Sequence, residues 1–227
     1  MRLGDCRWPE LAEGGRRRLL IPLGATEQHG PHLPLATDTI IAEALAHGAA
    51  QARADVVVAP ALPYGSSGEH DGFPGTLSLG QAAVQAAVVE LVRSAGDVED
   101  VVLVCWHGGN AAPVARAVAQ LRAEGRAVAG WQPRRPAADA HAGRVETSLM
   151  LAIAPELVGA ERPVGVTAAL GSLLPVLCRR GVRAVSPSGV LGDARGATRE
   201  EGEALRAELI ADLGRFLDAP RTAVMNA

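Results

Sequence analysis

The unbroken apolar run Val101-Val-Leu-Val-Cys105 limits the folds open to this chain more than any other segment. A strand with one wet face alternates apolar and polar side chains. A strand that is apolar throughout needs cover on both faces, which is the habit of parallel sheets packed between helices. Short runs of the same kind recur at 18–24, 55–60 and 127–131. Between them lie longer segments of helical character: Thr39 to about Ala52, Gly80 to Ala95 and Ala111 to Ala123. This alternation predicts an α/β fold, a three-layer α/β/α sandwich around a mostly parallel sheet. A helix from about Thr147 to Ala154 is expected next. A last one starts from a Thr198/Glu201 capping box and runs to about Leu217. Asp38 or Thr37 is the expected N-cap of the first long helix, and Asn110 that of the helix from Ala111. A chain of 227 residues, 48% hydrophobic, suits one domain over 1–227.

Several function classes are disfavoured. The formal net charge is −3 and the pI about 6.1, far from the basic footprint of a nucleic-acid binder. Every basic residue is Arg, and the clusters Arg16-Arg17-Arg18 and Arg134-Arg135 read as solvated or ion-paired surface. Cys6, Cys105 and Cys178 are odd in number and far apart, which fits neither a disulfide framework nor a structural zinc knot. The early residues hold no apolar core of a signal peptide, and no stretch reaches the roughly 18 apolar residues of a membrane span. The expectation is a soluble, cytoplasmic protein. No Gly-x-Gly-x-x-Gly follows a strand, and no Gly-Lys-Ser/Thr or Gly-x-Ser-x-Gly occurs. Dinucleotide, nucleotide-phosphate and serine-nucleophile sites are therefore unsupported.

Histidine carries the positive signal. Of His29, His32, His47, His70, His107 and His141, only His47 falls inside an expected helix, where it reads as structural. In an open α/β sheet, ligands gather at the carboxyl ends of the strands. The loops after the four strands deliver Glu27, His29, Asp38, Glu69, His70, His107, His141 and Glu146 to that rim. Each piece has a structural reading. Glu27-x-His29 can be a polar loop, His107-Gly-Gly-Asn110 a strand-to-helix turn, and Glu146 a carboxylate favoured by a helix N-terminus. Their convergence on one rim favours a metal site. Mixed carboxylates and imidazoles suit zinc, manganese or ferrous iron. A pair of ions about 3.5–4 Å apart needs a bridging carboxylate, and Asp38, at a helix start, is the candidate. Water shared by such ions is acidified toward a pKa of about 7, which suits attack on an unactivated amide. A nearby histidine that is not a ligand can protonate the leaving nitrogen. A metal-binding regulatory protein without turnover is the rival from another class.

The segments Gly24-Ala-Thr-Glu-Gln-His-Gly-Pro-His-Leu-Pro34, Asp38, Phe73-Pro-Gly-Thr76, His107-Gly-Gly-Asn110, His141-Ala-Gly143 and Glu146-Thr-Ser148 together resemble the creatininase family of metal-dependent amidohydrolases. The resemblance covers about Leu19 to Gly202. It implies a three-layer α/β/α fold, a dinuclear metal centre and a homo-oligomer, often a hexamer. By motif, it implies Glu27, Asp38 and His107 as ligands of one metal, with His29 and the bridging Asp38 on the second. Creatininase itself adds a Glu two positions after the His107 equivalent, where this chain has Gly109. Glu146 is the implied substitute, His141 aligns with the catalytic acid/base, and His32 becomes a supporting or structural residue. Creatininase also clamps its flat substrate with a Trp shortly before that histidine, where this chain has Ala137 and Ala138. That departure makes creatinine a doubtful substrate. Tyr64 to Thr76, Asp139 to Ser148 and Ser188 to Asp193 are most similar to a branch of the family that acts on a small ribosomal precursor peptide. That similarity implies hydrolysis of the peptide bond that releases a modified C-terminal Val-Tyr dipeptide. Glu69 and His70, expected at the tip of the loop from Gly65 to Thr76, would bind substrate. The alternative is a small cyclic amide or formamide, such as creatinine or a formylated pyrimidine.

Overall fold

The computed structural model describes residues 1–13, 15–96, 98–133 and 139–219. A short helix α1 (Trp8–Ala12) precedes strand β1 (Arg17–Leu23), helix α2 (Thr37–Ala50) and strand β2 (Val56–Val58). Helix α3 (Gly80–Ser94), strand β3 (Val98–Cys105), helix α4 (Ala111–Ala123) and strand β4 (Val128–Trp131) follow. Helices α5 (Arg144–Ile153), α6 (Leu170–Arg180) and α7 (Arg199–Asp218) end the series. Among the described residues the strands form one parallel sheet in the order β2-β1-β3-β4.

The expected three layers are present. Strand side chains alternate between two cores. Leu20, Val56, Val58, Val102 and Val104 pack with Ile41, Leu45, Leu149, Met150 and Leu213 from α2, α5 and α7. Leu19, Ile21, Leu23, Val57, Val101 and Leu103 pack with Val84, Val88, Val114, Ala117 and Leu121 from α3 and α4. Burying one such Val or Leu contributes about 1.5–3 kcal/mol, so both faces of the apolar strands are used. The chain runs outward from β1 to β2, then back past β1 to β3 and β4. Right-handed crossovers then require α2 on one face of the sheet and α3 and α4 on the other, as found. The reversal leaves a crevice between the carboxyl ends of β1 and β3, the usual ligand position in such sheets.

Two helix starts depart from the expected caps. Helix α2 begins at Thr37 with Ala36 at its N-cap, and no side chain caps it. Asp38 instead lies in the first turn, buried. Asn110 likewise makes no capping bond to α4. Thr198 does cap α7, its Oγ1 accepting from the Glu201 N–H at 3.1 Å. The Glu201 carboxylate turns away to Arg144 Nε at 2.8 Å and the Ser148 hydroxyl at 2.9 Å. Helix α6 was not anticipated, since Pro175 lies inside it and Leu177 is its one buried residue. None of the three cysteines is in a disulfide. No described helix is long and apolar enough to cross a membrane. The Arg134-Arg135 pair and the Ala137-Ala138 pair lie outside the described residues.

Candidate metal centre

Two loops and two helix starts build the centre. The loop after β1 turns back on itself, the Glu27 N–H donating to Leu35 O at 3.0 Å, which brings Glu27 beside Asp38 in the first turn of α2. His107 follows β3, the neighbouring strand. Helix α5 starts where the Asp139 carboxylate accepts the N–H groups of Arg144 at 2.9 Å and Val145 at 2.7 Å. That start aims Glu146 inward. Glu27, His29, Asp38, His107, His141 and Glu146 are all buried.

Their polar atoms form two triads that share Asp38: Glu27, Asp38 and His107, and His29, Asp38 and Glu146. Within each triad the ligand atoms lie within 4.8 Å of one another. Asp38 Oδ2 is 3.2 Å from His107 Nδ1, while Oδ1 is 3.5 Å from His29 Nε2. One carboxylate thus presents an oxygen to each triad. Glu27 Oε1 is 3.3 Å from His107 Nδ1, and Glu146 Oε2 is 3.9 Å from His29 Nε2. A third possible triad joins Glu27, His29 and His141.

The other ring nitrogen of each histidine is held by a backbone carbonyl. His29 Nδ1–H donates to Glu27 O at 3.1 Å. His107 Nε2–H donates to Ser66 O at 2.9 Å, and His141 Nε2–H to Gln28 O at 2.7 Å. Each bond leaves the inward nitrogen with a lone pair, which is how metal-binding histidines are oriented. The donor set also fits cations by what it lacks. Glu27 Oε1 and Oε2, His29 Nε2 and Asp38 Oδ2 are buried without a hydrogen bond. Buried polar atoms that stay unsatisfied are rare and costly. Oxygens and imidazole nitrogens converging on common points are what divalent ions of the zinc, manganese or ferrous class accept.

The electrostatics of the protein alone agree. Burial opposes charge on His29, but Asp38, Glu146 and Glu27 outweigh it and push its pKa up to about 9. His107 is likewise pushed well up, Glu27 and Asp38 overcoming burial. Burial would raise Asp38, yet His29 and His107 hold it well below the usual carboxylate range. Glu27 is pushed up, chiefly by burial, against the pull of His107. Without cations, protons must sit where cations would. His141 goes the other way: burial first, then the charge of His29, lowers it to about 3. A neutral imidazole therefore faces the centre, its Nδ1 3.8 Å from Glu27 Oε1.

Not every expected rim residue stands where the loop pattern suggested. His70 is not at an exposed tip. It is buried in a 3₁₀ turn at Gly68–His70, with Nε2 3.2 Å from Glu27 Oε1 and its ring 4.5 Å from that of His141. Glu69 stays part-exposed, Oε1 3.9 Å from His107 Nε2. A Cβ at Gly109 would lie 2.1 Å from Ser66 O and 2.6 Å from Glu69 Oε1. No side chain fits there, and Glu146 supplies its carboxylate from another element. His32 stands outside the triads, Nε2 against Thr147 Oγ1 at 2.8 Å.

Three supporting residues escaped the sequence reading. Trp106 Nε1–H donates to Glu146 Oε1 at 2.9 Å, beside the Ala142 N–H on Oε2 at 2.6 Å. Asn110 ties two loops, donating to Gly24 O and accepting from the Ser66 N–H, both at 2.9 Å. Gln28 lies between Glu27 and His29 and contacts His70 and His141. Its place in Glu-Gln-His was the one available signal.

The family model described as creatinine amidohydrolase matches residues 4–217. The chain belongs to the creatininase family. It is 52% identical over 200 residues to the mycofactocin precursor peptide peptidase of Mycolicibacterium smegmatis, covering 85% of this chain and 81% of that one. It is 30% identical over 241 residues to the creatinine amidohydrolase of Pseudomonas putida, covering 88% of this chain and 90% of the relative. Among solved structures, a mutant creatininase complexed with creatine superposes with a TM-score of 0.80 at 27% identity, over 94% of this chain and 96% of the other. A creatininase titled as a Mn form gives 0.76 at 26% identity, with the same coverage. These matches support a hydrolase.

Proposed function

We propose that this creatininase-family protein is a metal-dependent peptidase that hydrolyses the mycofactocin precursor peptide, releasing its modified C-terminal Val-Tyr dipeptide. The observation that carries the hydrolytic centre is the pair of triads sharing Asp38, with orphaned buried atoms at their heart. Similarity to peptidases of that name carries the substrate. Creatinine or a formylated pyrimidine is the alternative, since a creatinine amidohydrolase is also a relative.

In this reading Glu27, Asp38 and His107 hold one divalent ion, and His29, Asp38 and Glu146 the other. Zinc, manganese or ferrous iron fit these donors. Such ions would supply Lewis acidity toward the scissile carbonyl and lower the pKa of water. The chain's own residues do the rest. His141, neutral with Nδ1 free, accepts the proton of the attacking water and returns it to the leaving amine, as a general base and then a general acid. Trp106 and the Ala142 N–H hold Glu146 in line. Glu69 and His70 stand where the loop from Gly65 to Thr76 meets the substrate. The protein acts as a homo-oligomer, with a hexamer as the expected assembly.

The test is mass spectrometry of the modified precursor after incubation with the metal-loaded protein. Release of the dipeptide is expected. Intact precursor together with turnover of creatinine or a formamide would transfer the assignment to the alternative.

A further inference from the structure

Gln28 is flanked by two proposed ligands, yet its side chain bonds to no member of the two triads that share Asp38. It is buried and uses every polar group it has. Its Oε1 accepts from the Gly30 N–H at 2.9 Å. Its Nε2 lies 2.8 Å from His70 Nδ1, 3.0 Å from His141 Nε2 and 3.1 Å from Gly189 O. Its backbone O is 2.7 Å from His141 Nε2. The amide orientation follows from these partners. A flipped amide would set its NH2 against the Gly30 N–H and its oxygen against Gly189 O. The fit is close enough to govern a neighbour: a Cβ at Gly189, where φ is +82°, would lie 1.8 Å from Gln28 Oε1.

Proton positions now follow by elimination. A carbonyl oxygen cannot sit 2.7 Å from a bare ring nitrogen without repulsion, so His141 Nε2 carries a proton and gives it to Gln28 O. That nitrogen then cannot accept from the Gln28 amide. The two amide protons go to the remaining acceptors, His70 Nδ1 and Gly189 O. With Nδ1 accepting, the His70 proton sits on Nε2, facing Glu27 Oε1 at 3.2 Å.

We infer that Gln28 is a positioning residue that fixes both histidines at once: its backbone carbonyl holds His141 with Nδ1 free to take a proton, and its side-chain amide holds His70 as an Nε2–H donor toward the centre. The inference rests on the peptidase reading for the step it assists. The tautomers themselves do not depend on the substrate.

Two measurements on the zinc-loaded protein test it. Nitrogen-15 NMR of the histidine rings should find both His70 and His141 protonated at Nε2. A proton on Nδ1 of either ring overturns the inference, whatever the substrate proves to be. In Gln28→Met, similar in length but unable to donate from its tip, the His70 ring should lose its single tautomer. Turnover of the modified precursor should fall about 10–100-fold, the usual cost of losing an outer hydrogen-bonding partner. KM should stay within about two-fold, and zinc content should be full. Unchanged kcat overturns the positioning role. So does a fall that merely tracks lost zinc, since Gln28 would then be holding the ligand loop. Gln28→Glu adds a second check: it keeps the size but replaces the amide donor with a charged acceptor, and it should lower kcat as well. Full activity in that variant would likewise overturn the inference. A wild-type protein that leaves the precursor intact would refute the peptidase reading and not the tautomers.

Discussion

Strands β1 and β3 carry buried charges at both ends, and the two ends treat them differently. At the amino ends, Arg18 and Asp100 are register partners. Arg18 Nε donates to Asp100 Oδ1 at 2.7 Å and Oδ2 at 3.0 Å, and its Nη1 donates to Leu217 O. That pair satisfies itself. At the carboxyl ends, Glu27, Asp38 and His29 leave buried atoms without a hydrogen bond. Both sets are deeply buried, so burial of charge does not by itself mark a functional site. Several such atoms converging on common points do, because leaving them unpaired costs stability that a cation shared between them would recover.

The sharpest way to break the contrast is Asp38→Ala. It removes the one carboxylate shared by both triads, so metal content should collapse and turnover fall more than 1,000-fold, about 4 kcal/mol of barrier. The circular dichroism spectrum should stay native. Elemental analysis that finds full metal in this variant rules out a bridging Asp38. His141→Asn should spare the metal and lower kcat by about 10²–10⁴-fold, the usual worth of general acid–base catalysis. Metal loss in that variant would instead favour the triad of Glu27, His29 and His141 and make His141 a ligand.

The opposite end should respond in the opposite currency. Asp100→Ala leaves Arg18 buried without its carboxylate, which typically costs about 3–5 kcal/mol. Urea unfolding should register that loss, while the folded fraction keeps its metal and its kcat. Reduced metal affinity in Asp100→Ala would mean that the two ends are coupled and the contrast too simple.

What could be read from sequence follows the same division. The layers and the parallel sheet were legible because continuous apolar strands have few alternatives. That Glu27, His29, Asp38, His107, His141 and Glu146 would gather in one place was legible because loops after parallel strands converge on one rim. Side chains with two plausible uses were not. Asp38 and Asn110 are good helix caps by type, but Asp38 turns to the two triads and Asn110 is drawn into tertiary bonds. Gln28 O accepts from His141 Nε2 across 113 residues and Trp106 reaches Glu146 across 40. No local pattern announces such pairs. Helix α6 hid behind Pro175 and its shallow burial. His70 looked like a solvated loop tip because nothing in Gly-Glu-His-Asp says which side chain turns inward.

The smallest effect separates the two ends by pH. In the metal-free protein, His29 is pushed up to about 9 by its carboxylate neighbours against burial, from an ordinary value of about 6.5. A histidine raised on folding contributes stability that is complete below its unfolded pKa and is lost as pH rises through its folded value. The metal-free protein should therefore lose up to about 3 kcal/mol between about pH 6.5 and 9. His107, also pushed well up with Glu27 and Asp38 overcoming burial, acts in the same direction. His141, lowered to about 3 by burial and His29, and His32, lowered to about 4 by burial and Arg162, have the opposite sign. Their contributions grow as pH rises toward about 6.5 and are complete above it, so they do not blur the window. Bound cations would take the places of the protons on His29 and His107, so the metal-loaded protein should lack this loss, and loading at neutral pH should release protons. Thermal melts of both forms across the window, with proton release followed in weak buffer, check this. Equal pH slopes for the two forms would place His29 and His107 outside the metal site and leave the carboxyl ends of β1 and β3 no more open than the Arg18–Asp100 pair.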